Sequence, residues 1–179
     1  GNVTVEDEPG MPSLPNRTVY ALAGLAVDDV GQATLSNIDA SGFAVVGVLL
    51  NETGAEWDGG EVYELVGTGI HVSGMVTVIL KNITVHDIWG GATPFGYGIA
   101  ATDDVHLVTE NVTVEDNKVA GILMDHATGE HTGLNVKRNG ERGIWIQNCA
   151  PIERALGATS VAIHGQGTLF DENYGVAVG

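Results

Sequence analysis

Seven times along the chain a glycine is followed by an alternation of apolar and variable positions. Counting from that glycine, positions +1 and +3 are Leu25/Val27, Val48/Leu50, Ile70/Val72, Ile99/Ala101, Ile122/Met124, Ile144/Ile146 and Val176/Val178. A period of two with β-branched residues favoured predicts a short strand, one face buried, at each repeat. A second alternating set follows an Asn or Gly marker: Val3/Val5, Ile38/Ala40, Ile83/Val85, Val112/Val114 and Leu134/Val136. A third, weaker apolar run lies between them, as at Val78–Leu80 and Val105–Val108. No stretch shows a helical period.

The two markers keep one register. The glycines Gly24, Gly47, Gly69, Gly98, Gly121, Gly143 and Gly175 are separated by 23, 22, 29, 23, 22 and 32 residues. The second marker, at Asn37, Gly60, Asn82, Asn111 and Gly133, steps by 23, 22, 29 and 22. Asn2 opens the same series, and the hexapeptide Asn2–Asp7 recurs as Asn111–Asp116. A repeat of this length cannot bury its own apolar face, so neighbours must stack. The leucine ladder of a leucine-rich repeat is missing. The prediction is an all-β, right-handed parallel β-helix of about seven turns, three short strands to a turn, filling residues 1–179 as one solenoid. Ile70, Ile99, Ile122 and Ile144 are expected to stack in one buried column.

The Gly-Ile-x-apolar element, followed by Asn-x-Thr-Val, resembles the parallel β-helix repeats of the pectate-lyase-like superfamily. The resemblance spans essentially the whole chain and implies the fold. That superfamily holds lyases, hydrolases, epimerases, tailspikes, adhesins and non-catalytic surface proteins, so fold alone chooses no activity. The polygalacturonase-like signature is incomplete: Asp28-Asp29 and Asp103-Asp104 occur, without Gly-His-Gly or Arg-x-Lys. The Asp-Pro-His-Glu of alginate epimerases is absent.

Charge narrows the partners. With 7 basic and 23 acidic residues the net charge is −16, which argues against nucleic acid and anionic membranes and disfavours polyuronates unless Ca²⁺ bridges them. A lone Cys149 excludes an internal disulfide, and no apolar run is long enough to span a membrane. Asn-x-Thr sequons at Asn2, Asn82 and Asn111 coincide with the repeat marker, which explains them without glycosylation; Asn16 and Asn51 carry two more. The chain starts on a marker and stops inside a strand pattern. A segment of a longer solenoid, or one whose ends a partner chain or another copy covers, is therefore expected. An extracellular, cell-surface or periplasmic setting suits such a module.

Insertions at 8–23, 88–97 and 148–157 mark where function could sit, since loops on a rigid scaffold carry most sites; the resemblance to the pectate-lyase-like superfamily implies that loops at these corners wall a groove over the first sheet. The outward position +2 reads Ala26, Leu49, His71, Ala100, Leu123, Trp145 and Ala177, apolar for a solvent face and so a candidate binding surface. Positions +4 and +5 collect Asp28/Asp29, Asn51/Glu52, Ser73/Gly74, Thr102/Asp103, Asp125/His126 and Gln147/Asn148. Stacking should bring Asp103 beside His126, with Asp104, Glu130 and His131 close in sequence. Asp103, Asp125, His126 and Glu130 are thus candidate ligands for a divalent cation such as Ca²⁺. The competing reading is that Asp and Asn merely cap the corners. Lys118, Lys137, Arg138 and Arg142 form a basic patch that either balances Asp116 and Glu141 or contacts an anionic sugar. Trp89, Tyr97 and Trp145, with Trp57 and Phe95, could stack on sugar rings or pin loops.

Glycan binding or extracellular interaction is the expected task, with His71, Trp89, Tyr97, Arg138, Arg142 and Trp145 as ligand contacts. The alternatives are a polysaccharide-degrading or -modifying enzyme centred on Asp103, Asp125, His126 and Arg142, and a structural spacer or adhesin shaft.

Overall fold

A computed structural model describes residues 21–42, 44–90 and 95–148 and the backbone of 161–164, 169–171 and 177–178. In chain order the strands are β1 (Ala21–Asp28), β2 (Gln32–Ser41), β3 (Ala44–Asn51), β4 (Gly54–Leu65), β5 (Thr68–Ser73), β6 (Thr77–Ile88), β7 (Tyr97–Thr102) and β8 (His106–Glu110). They continue with β9 (Thr113–Glu115), β10 (Ala120–Asp125), β11 (Thr128–Thr132), β12 (Asn135–Lys137), β13 (Arg142–Gln147), β14 (Val161–His164), β15 (Leu169–Asp171) and β16 (Ala177–Val178). No helix occurs among the described residues, so none is long and apolar enough there to cross a membrane.

The glycine strands build one parallel sheet, in the order β1-β3-β5-β7-β10-β13-β16. All other strands form a second sheet. In its early turns the second and third segments run as one long strand: β6 pairs with β8 through Thr77–Lys81 and with β9 through Thr84–His86. Later turns break that strand in two at the Asn/Gly marker. Three strands per turn therefore holds from β8 onward. Five complete turns are described from β1 to β13, and β16 supplies the seventh strand of the first sheet, against about seven turns expected.

The turns share three corners, each with a left-handed residue in almost every coil. After the first sheet these are Asp29, Glu52, Gly74, Asp103, His126 and Asn148; between the second and third segments, Asn37, Gly59, Asn82, Asn111 and Gly133, with Gly59 in place of the expected Gly60 because Gly60 pairs with Ile38 and Ile83; before the first sheet, Gly42, Glu64, Asp87, Asp116 and Arg138. Left-handed backbone favours Gly, Asn and Asp, which is why the marker residues recur where they do.

The core is a set of stacked columns. Val48, Ile70, Ile99, Ile122 and Ile144 are register partners and fully buried, so the isoleucine column expected from the period stands. The marker glycine stays small for room: a Cβ on Gly98 would come within 2.5 Å of Val114 Cγ1 and 2.7 Å of the Gly121 carbonyl oxygen.

A second column, through the other sheet, runs Leu35, Trp57, Leu80, Thr109 and His131. Trp57 is thus available neither to a sugar ring nor to a loop: it lies in β4, fully buried, its indole N–H donating to the Gly59 carbonyl at 2.8 Å. His131 likewise faces inward rather than joining the corner cluster, because it shares the parity of Leu80. Near the third corner, Asn117 and Asn139 are buried, and the Asn117 amide N–H donates to Asn139 Oδ1 at 3.2 Å. Of the three insertions, 8–20, 91–94 and 149–157 lie outside the described residues, as do Asn2, Asn16 and Cys149.

Candidate functional site on the first sheet

On the outward face of the first sheet, each rung contributes the residue before the glycine, position +2 and position +4. From β5 to β13 these are Thr68/His71/Ser73, Tyr97/Ala100/Thr102, Ala120/Leu123/Asp125 and Arg142/Trp145/Gln147. The small Ala120 lies on the rung between those of Tyr97 and Trp145. The Tyr97 and Trp145 rings meet edge to face, centroids 6.4 Å apart, and Ala120 and Leu123 on that rung are buried. The Arg142 guanidinium sits 3.9 Å from the Trp145 ring centroid, within cation–π range, and 3.3 Å from Glu141. Part of the apolar strip is therefore capped by its own aromatic rings. Burial and the nearby Glu141 push the Tyr97 hydroxyl up, against the pull of Arg142.

Polar side chains line the +4 edge as a ladder. Asn51 Nδ2 donates to Asp28 at 2.6 Å, and the Ser73 hydroxyl donates to Asn51 Oδ1 at 2.7 Å. Asp125 accepts from Gln147 at 3.0 Å and from Asn148 at 2.6 Å, and pairs with His126 Nδ1 at 3.0 Å. Burial pushes the Asp125 carboxyl up, but those three bonds outweigh it and hold it below its ordinary value. Three donors favour the ionised form of this carboxylate, which acts as an acceptor at neutral pH.

Asp103 and His126 do share adjacent turns: the Asp104 N–H donates to the His126 carbonyl at 2.6 Å. Their side chains are held by other groups. Asp103 takes the Thr102 hydroxyl at 2.8 Å, while His126 pairs with Asp125. Both residues occupy the left-handed corner, the capping role weighed against them. Glu130 lies in β11, exposed on the second sheet beside Val108, and does not meet Asp125. Among the described residues no three His, Cys, Asp or Glu converge as a cation would need.

The basic patch also disperses. Arg138 gives two bonds to Asp116 and one to Glu115, at 2.6–2.9 Å. Lys137 pairs with Glu115 at 2.8 Å, and Lys118 donates to the Gly90 carbonyl at 3.2 Å. Those three balance acids or hold the insertion, and Arg142 alone of the four lies on the first sheet. Trp89, at 63% exposure, and Phe95 stand exposed in the 88–97 insertion.

His71 occupies the middle of the face, half-buried. Burial lowers its tendency to protonate, against the opposing charge of Asp103. Its Nε2 lies 3.4 Å from Thr102 Oγ1. The role of Thr102 was not legible in the sequence, although its register one rung below Ser73 is.

A family model described as a right handed beta helix region matches residues 23–176. No curated protein and no solved structure matches the chain significantly. The match agrees with the resemblance of the repeats to the pectate-lyase-like superfamily. Parallel sheets wound from a repeat of 22–23 residues, and a family match over nearly the whole length, lead to one statement: the chain belongs to the right-handed β-helix family.

Proposed function

We propose that this β-helix is an extracellular or cell-surface module that binds an extended glycan along the outward face of its first sheet. One observation carries the reading: the Tyr97–Trp145 pair, with Arg142 over the indole, lies beside a continuous polar edge. Sugar rings offer apolar faces to aromatic side chains and hydroxyls to polar ones, and this face supplies both along one line. At about 4.8 Å per rung, the strip from Ala26 to Trp145 is about 24 Å long, long enough for an extended chain. The saturated bonding of Asp125 and the separation of Glu130 favour binding over hydrolysis or elimination. An overall charge of −16 favours a neutral glycan.

Affinity electrophoresis in gels containing soluble neutral polysaccharides tests the proposal. Retardation of the wild type by at least one glucan, xylan or mannan is expected, and Trp145→Ala should run as in a blank gel. Equal mobility of the two proteins in every gel would remove the glycan reading.

A further inference from the structure

Three neighbouring side chains on this face form a directional hydrogen-bond chain. The Thr102 hydroxyl has one proton. The Asp103 carboxylate, 2.8 Å away, can only accept it. Thr102 Oγ1 is then left as an acceptor toward His71 Nε2, at 3.4 Å, so Nε2 must carry the hydrogen. From this geometry we infer that Asp103 and Thr102 fix His71 in its Nε2–H form and make His71 Nδ1 the acceptor for a hydroxyl of the bound ligand.

The rest of the face supports the assignment. Asn51 is engaged with Asp28 and Ser73, and Asp125 with Gln147, Asn148 and His126. Arg142 can donate but not accept. His71 Nδ1 has no partner among the described residues, and the ring sits at +2 between Leu49 and Ala100. A neutral imidazole flanked along the sheet by Leu49 and Ala100 is a directional acceptor. Its natural complement is an uncharged O–H donor, such as a sugar hydroxyl, rather than a carboxylate, which would only repel the lone pair. Thr102 and Asp103 are positioning residues in this scheme, and His71 makes the contact.

The relay is a property of the free protein, whereas the ligand contact rests on the glycan reading above. Long-range ¹H–¹⁵N spectra of the imidazoles separate the two. At pH 7 the wild type and Thr102→Ser should show His71 protonated on Nε2 alone, and Thr102→Val should show a mixture of the two neutral forms. An Nδ1–H or imidazolium His71 in the wild type, or an unchanged tautomer in Thr102→Val, overturns the relay. Cellohexaose and xylohexaose are then titrated into the wild type. A sugar that shifts the Trp145 indole N–H should also shift His71 Nδ1. A Trp145 shift without an Nδ1 shift overturns the acceptor role. No shift at Trp145 with any glycan counts against the glycan reading and leaves the relay to be judged on the tautomer.

Discussion

Two columns of the same core are built differently. The first-sheet column, Val48-Ile70-Ile99-Ile122-Ile144, is aliphatic from end to end. The second-sheet column starts as Leu35-Trp57-Leu80 and then turns polar at Thr109-His131. Thr109 Oγ1 and His131 Nδ1 are 2.9 Å apart, both residues fully buried, and His131 Nε2 has no partner. Stacking alone admits any inward residue of suitable volume. A polar pair, however, must be satisfied within the stack, and here it is satisfied on one side only. The first column is a source of stability, while the second is a point at which conditions can act.

The largest effect should come from the aliphatic column. Ile122→Ala opens a cavity between Ile99 and Ile144 and should cost about 2–5 kcal/mol in denaturant unfolding. A cost below that of an ordinary surface substitution would mean that the column is not packed.

Acid should act on the polar column. Burial, with a smaller push from His106, lowers the His131 imidazole to about 4. The neutral ring is favoured in the fold, so its contribution is complete above 6.5 and is lost as pH falls from there toward about 4. At 1.36 kcal/mol per unit, the loss is on the order of 3 kcal/mol. Melting curves of the wild type and His131→Leu over that range should diverge, the wild type falling further. Parallel curves would show that His131 does not titrate in the core.

Thr109→Val sharpens the contrast. It leaves the second ring nitrogen unpaired and should cost about 1–3 kcal/mol, while Thr109→Val with His131→Leu should come close to neutral. A double variant as unstable as the single one would place the cost in packing rather than in the unmet polar atom.

The smallest effect lies on the surface and has the opposite sign in pH. His86 Nδ1 is 2.8 Å from Asp87 and Nε2 is 2.9 Å from Glu61, with Tyr63 stacked on the ring at 5.4 Å. Burial pulls the imidazole down, but the two carboxylates outweigh it and raise it above 6.5. That contribution is full below 6.5 and fades as pH rises through the raised value. His86→Asn should therefore lose little at high pH and more in mild acid. A deficit that does not change with pH would show that the ring acts by packing alone.

Much of this was legible because strand parity and left-handed corners leave marks on composition. The isoleucine column could be read from its spacing after each glycine, and the corner residues from recurrent Asn, Asp and Gly. His131 was misplaced because proximity in sequence to Glu130 was taken for proximity in space. The register would have corrected it: Leu80, Thr109 and His131 each stand two residues before the corner residues Asn82, Asn111 and Gly133. Trp57 stands two before the left-handed Gly59 in the same way. The side-chain partners of Asp103 and His126 could not be read, since repeat register places backbones, and rotamers on a left-handed corner decide what the carboxylate and the ring reach.

The left-handed corners also make length a discrete variable. Each coil closes on its own three corner residues and touches only the coils on either side, so a unit of 22 or 23 residues can enter or leave without redrawing the others. Every such unit lengthens the outward face by one strand spacing, about 4.8 Å. Evolution of this fold can therefore adjust reach by whole steps, like adding links to a gauge, while the chemistry of each link is chosen separately at its outward positions.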